Sequence, residues 1–216
     1  MNEARRVPHE IRYKFGKGDV LTYDQEVTLL LEEPDGSKYD GILKEESIQS
    51  VIQDHDGWWE ILLTLTRLES SGPLCGELPE PLKQRSTTMR MDARGSLLDI
   101  GTGAPAPRVP AFPLDAVSPG QSWLASAPSP DGGEPLSIEY YYERLEQIGD
   151  EEIAHLVTLA RSASSEGYSS EIQGTIAFSL THGHQASSTT VVKLTWENGR
   201  VSHSVVELKL RNRTNA

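Results

Sequence analysis

His182-Gly183-His184 is the first candidate for chemistry in this 216-residue chain. On a strand, two residues spaced this way point their rings to one side. Zinc needs three or four ligands, so His155, His203 or a carboxylate would have to supply the rest. The spacing fixes none of these, and a polar hairpin tip is the better account of the pair. Asp54-His55-Asp56-Gly57 lacks the later ligands and the twelfth-position Glu of a calcium loop, so it reads as a turn. Cys75 stands in Pro73-Leu74-Cys75-Gly76 with no base nearby before Lys83 to favour a thiolate. A single cysteine also excludes an internal disulfide and a CxxC pair. Gly101-Thr102-Gly103 is followed by prolines that forbid the helix a phosphate loop requires. No GxSxG elbow occurs. No catalytic residue, metal ligand set or cofactor is therefore expected.

The aromatic residues carry more. Trp58, Trp59, Tyr140, Tyr141, Tyr142 and Trp196 fall on segments that read as strands. Adjacent residues of a strand point to opposite faces, so Trp58 opposes Trp59, and Tyr141 opposes Tyr140 and Tyr142. One member of each set could line a cavity while the other covers the sheet's far side. Trp59, Tyr140, Tyr142 and Trp196 are the candidate ligand-binding residues. His155 joins them as a polar anchor on the face of Ile153, Val157 and Leu159.

The elements that must hold these residues are strands. Period-two alternation dominates the chain. Ile11, Tyr13 and Phe15 alternate with Arg12 and Lys14. Leu21, Tyr23, Val27, Leu29 and Leu31 share one face. Residues 38–53 read as an interrupted strand, and 58–66 as a strand apolar on both faces and hence interior. Turns are expected at Glu33–Ser37, Asp56-Gly57, Arg94-Gly95, Gly149-Asp150, His182-Gly183 and Asn198-Gly199. Residues 101–120 are too rich in Pro and Gly for a regular element. They divide a first β unit (1–100) from a second (121–216). The expectation is an all-β, mostly antiparallel protein of two similar halves, forming one large curved sheet or two packed units.

The chain has 32 acidic and 20 basic residues, a formal charge of -12. This argues against a general nucleic-acid binder, which must neutralise phosphates. The acid concentrates in residues 21–80, with 14 acidic residues against 3 basic, and solvated strand faces account for it. No run of 18 apolar residues suggests a transmembrane helix. No apolar stretch follows Met1–Pro8, so the expected compartment is the cytoplasm, or outside it if the chain has been trimmed.

The segment Tyr13-Lys14-Phe15-Gly16-Lys17-Gly18-Asp19-Val20-Leu21-Thr22-Tyr23 resembles the opening strands of certain uncharacterised bacterial β-rich proteins. Phe112-Pro113-Leu114 with Pro119-Gly120-Gln121-Ser122-Trp123, and later Gly174-Thr175-Ile176-Ala177-Phe178, are similar to their mid-chain and late segments. The resemblance implies a lipoprotein-carrier-like shape, a curved sheet around an apolar cavity, in proteins that are exported or lipid-anchored. It implies no catalytic residue. Three functions stand as expectations. The first is a non-enzymatic module that binds a lipid or other apolar or amphipathic ligand. The second is a structural protein that pairs with a partner chain or a second copy of itself. The third is a metal-dependent hydrolase on His182 and His184.

Overall fold

The computed structural model describes residues 7–75, 85–100, 112–127, 136–163 and 167–215. They form eleven strands and no helix. The strands are β1 (Val20–Glu32), β2 (Lys38–His55), β3 (Trp58–Ser71), β4 (Arg85–Asp92), β5 (Leu97–Ile100), β6 (Ser122–Ala127), β7 (Leu136–Ile148), β8 (Glu151–Ala163), β9 (Tyr168–Ser179), β10 (His184–Trp196) and β11 (Val201–Thr214). All lie in one sheet, ordered β5-β4-β3-β2-β1-β11-β10-β9-β8-β7-β6. Every pairing is antiparallel. Of the two architectures expected, the single large sheet is the one formed. Residues 38–53 are strand, all six expected turns are present, and β3 has neighbours on both sides. Much of the connection expected over 101–120 (101–111) lies outside the described residues. Phe112–Gly120 holds no strand beyond the isolated bridge at Val117.

Two extended segments show how strongly the sheet curls. The amide of Tyr13 donates to the Ala93 carbonyl after β4, and the amide of Lys14 to the Gly183 carbonyl before β10. In a flat sheet β4 and β10 would stand about 24 Å apart, five spacings in the strand order. Consecutive Cα atoms are only about 3.8 Å apart, so the two turns nearly meet. Phe112–Gln121 makes the same point. Phe112 N donates to Arg94 O, and Gly120 N to Tyr142 O on β7. Eight residues reach at most about 29 Å, less than the roughly 38 Å that a flat sheet would demand.

These two segments are straps across one end of the inner face. Ile11, Tyr13 and Phe15 alternate as a strand would, but they pair into no sheet; instead all three are buried beneath the curl. Their expected strand is therefore a strap. Tyr13 packs edge-on against Phe178 at 5.2 Å between ring centroids, and Phe112 meets Phe178 at 4.7 Å. Leu21, Val51, Ile61, Met89, Met91 and Leu156 are among the other residues of this core. The Arg12 guanidinium donates to the carbonyls of Pro113 and Leu114, and His9 exchanges two backbone bonds with Val117, so the straps also hold each other.

Candidate ligand-binding face

The inner face can be followed strand by strand from the pairing register. On β1 it runs through Leu21, Tyr23, Gln25, Val27, Leu29 and Leu31. Leu21 and Tyr23 lie in the strapped core. Beyond them the straps end, and apolar residues continue along the face among small polar ones, with Thr190, Ser204 and Ser202 on the rows of Val27, Leu29 and Leu31. Val27 stands between Leu43 and Val206, and the row through Leu29 reaches Val192 on β10 and Ile172 on β9. All six are half-buried. The turn Gly72–Cys75 closes one corner. Leu74 N donates to Asp40 O at 3.2 Å, and a Cβ on Gly41 would stand 2.7 Å from the Cys75 sulfur. Trp196 and Tyr168 mark the far rim, their rings 6.1 Å apart, with the Arg200 guanidinium over the indole at 5.4 Å.

The expected binding residues are thus divided. Trp59, Tyr140 and Tyr142 gather at the strapped end and are buried. Trp59 meets Phe15 edge-on at 5.3 Å, and its buried indole N–H has no acceptor among the described residues. Tyr140 stacks on Trp123 at 5.3 Å. Burial raises the Tyr142 phenol to a pKa of about 12, and its hydroxyl lies 3.3 Å from His9 Nδ1. Trp196 shares their face at the opposite end. His155 does not: Ala154, Leu156, Thr158 and Ala160 face inward on β8, and His155 lies on the outer face, 2.6 Å from Glu146. Trp58 and Tyr141 also face outward, as alternation requires. Trp58 stacks on His55 at 3.8 Å with Arg90 over its ring.

The His182/His184 pair serves another purpose. His182 sits in the turn and His184 opens β10, buried. Arg213 donates to the His182 carbonyl at 2.7 Å, to His184 Nδ1 at 3.0 Å and to Asp19 Oδ2 at 2.8 Å. Burial first, and then the guanidinium charge, lowers the His184 pKa to about 4. The ring is neutral at pH 7, and a fixed cation beside it opposes a metal ion. Among the described residues no group of three or more His, Cys, Asp and Glu could hold a metal. Sequence reading missed this Asp19–Arg213–His184 clamp because its members are brought together only by the pairing of the first and last strands.

A polar depression of about 630 Å³ is lined mostly by residues of the outer face, Asp24, Glu26, Lys44, Glu46, Arg67 and Arg211 among them, with Gln25 and Glu45 also bordering it. Several of its charges are paired, with Arg211 to Glu46 at 2.5 Å and Lys44 to Glu26 at 3.0 Å. Five of the fourteen acidic residues of 21–80 line it.

No family model matches the chain, and no curated protein matches its sequence. Its fold is shared with lipovitellin. A solved structure describing lipid–protein interactions in lipovitellin matches with a TM-score of 0.63 and 11% identity, over 94% of this chain and 26% of that one. The chain spans about a quarter of that protein's length, and the likeness is one of fold. Other similar structures include a Bacteroides fragilis protein described as exported, with a YmcC-like fold (10% identity, TM-score 0.34, 95% of this chain and 100% of that one). A LolA superfamily protein of Nitrosomonas europaea is a third (12% identity, TM-score 0.23, 92% and 89%). These two are of the kind that the sequence resemblance named. Among the described residues no helix is long and apolar enough to cross a membrane.

Proposed function

We propose that the chain is a non-enzymatic module that holds an apolar or amphipathic ligand against the unstrapped part of its inner face. The observation that carries this reading is the continuation of one apolar face past its cover. Val27, Leu29, Leu43, Val206, Val192 and Ile172 extend the core's own rows but stay half-open. Apolar surface left half-open, here interrupted by the small hydroxyl side chains of Ser204 and Thr190, is a feature of binding sites. An alkyl chain laid on it gains about 0.8 kcal/mol per buried methylene, enough for a long chain to bind after the entropic cost of association. The lipid interactions described for lipovitellin support a lipid as the ligand class. In this reading Trp196 touches the ligand at the rim. Trp59, Tyr140 and Tyr142 form the closed floor, and His155 takes no part.

The test is quenching by a brominated fatty-chain amphiphile. Saturable, stoichiometric loss of tryptophan emission is expected, much reduced in Trp196→Phe. Absence of quenching at concentrations below micelle formation would exclude the reading.

One observation favours a second reading, pairing with another chain. Among the described residues β6 is an edge strand with a neighbour only on its β7 side, and Leu124 on it is 74% exposed. Free edges invite strand addition. A concentration-dependent dimer abolished by Leu124→Lys would support it.

A further inference from the structure

The inner face carries little charge. Along the strand positions whose side chains are described and face inward, the ionic residues are Glu45, Asp54, Arg85, Glu152 and Arg213. Asp54 is exposed at the turn end of β2, and Glu152 is the second residue of β8. Arg213 is committed to Asp19, and Arg85, exposed at the start of β4, has its own interactions. Glu45 is the exception. It lies mid-strand on β2, where the register sets it between Gln25 and Leu68, with Leu208 one strand further on. Gln25 Nε2 donates to its Oε2 at 3.1 Å, the carboxylate's single hydrogen bond to the described residues. Its neighbours along the same face of β2 are Leu43 and Ser47.

We infer that the ligand is a long-chain amphiphile with a cationic amine head, its chain on the apolar rows and its ammonium on Glu45. The inference rests on the proposed binding face and adds the head group. The row of Val27 and Leu43 begins one residue pair beyond Glu45, so a chain leaving the carboxylate enters apolar surface at once. A carboxylate in such surroundings is short of solvation. Glu45's pKa is indeed raised, by burial. An ammonium restores a charge-assisted partner where Gln25 alone cannot. Among the described residues no Lys or Arg is paired in register with Glu45, so an anionic head would meet it as a like charge.

Three ligands of one chain length separate the outcomes: dodecylamine, dodecanol and dodecanoate, titrated below micelle formation at 0.15 M salt. At that ionic strength long-range attraction to an acidic protein is largely screened. The variants are Glu45→Gln and Glu207→Gln, which make the same change in net charge on opposite faces. The amine is expected to bind at least about tenfold more tightly than the carboxylate. Glu45→Gln should erase that preference and leave dodecanol binding unchanged. Glu207→Gln should leave all three as they are. Glu45→Lys should reverse the order. Equal binding of amine and carboxylate by the natural chain, or a preference untouched by Glu45→Gln, would overturn the head-group inference while leaving the binding face intact. Failure of all three to bind would overturn both.

Discussion

Arg213 Nη2 donates to Asp19 Oδ2 at 2.8 Å, joining residues 194 positions apart in a largely buried ion pair. The same carboxylate oxygen accepts from Gly16 N at 3.0 Å, and the same guanidinium reaches Lys14 O, His182 O and His184 Nδ1. One contact therefore ties the strap, the end of β11 and the turn before β10. Removing one partner strands the other charge in a site of low solvation. Asp19→Asn is expected to cost about 3–5 kcal/mol of folding stability. The double variant Asp19→Asn, Arg213→Met should cost less than the sum of the singles. Urea unfolding of the four chains checks this; an additive cycle would show the pair to be uncoupled.

His184 makes the clamp sensitive to acid. Its folded-state pKa is about 4, against about 6.5 for an unperturbed histidine. Between those values the unfolded chain binds the proton and the native chain does not, so stability falls as pH falls. Above about pH 6.5 this contribution is complete, and below about pH 4 the loss from this residue ends. Asn at 184 keeps a hydrogen-bond acceptor for Arg213 and cannot titrate. His184→Asn should therefore lose less stability than the natural chain between pH 7.5 and pH 5, measured as the shift in urea midpoint.

Gly183 and Gly57 both lie in hairpin turns with positive φ, +63° and +90°. A Cβ at Gly57 meets nothing within 4 Å, whereas one at Gly183 would stand 2.5 Å from the Lys14 backbone nitrogen and side chain. Gly57→Ala should cost about 1 kcal/mol, the left-handed penalty alone. Gly183→Ala adds a collision with the strap and should cost about 2–3 kcal/mol or more. It should also raise hydrogen exchange at the Tyr13 and Lys14 amides, a change that Gly57→Ala does not produce.

The strands and turns were legible because one periodicity and a few turn residues encode them locally. Leu21 to Leu31 alternate as read, and Asn198-Gly199 turns where it should. The meeting of β1 and β11 was not legible, since no local pattern says which strand ends will pair across the whole chain. Ile11, Tyr13 and Phe15 show the limit of alternation. It reports which side is buried, not whether a neighbouring strand supplies the hydrogen bonds. The inward face of β8 was misread for a different reason. Where the sheet curls tightly the inner side has little room, and Ala154, Thr158, Ala160 and Gly174 fill it. A Cβ on Gly174 would stand 2.7 Å from the Thr158 hydroxyl. The bulkier Val157 and Leu159 go outward with His155, so apolar size pointed to the wrong side. Glu45 was hidden among the acidic residues of its segment. Its place in the alternation Leu43, Glu45, Ser47 is its one sequence signal, and it acquires meaning only once the register is known.

Val191 and Val192 separate the two sides of the sheet within one dipeptide. Val192 faces inward in the row of Leu29 and Ile172, while Val191 faces outward and is 40% exposed. Glutamate at either position adds the same charge to the same strand, so propensity and net charge cancel in the comparison. Val191→Glu should change stability by no more than about 0.5 kcal/mol and leave binding of a neutral amphiphile such as dodecanol as it was. Val192→Glu sets a carboxylate in the apolar row, where a bound chain would desolvate it, and should weaken that binding by about tenfold or more. Titration calorimetry on both variants, with circular dichroism to confirm the retained sheet, reads the difference directly. Equal affinities would place any bound chain away from this row and move the search to the outer face.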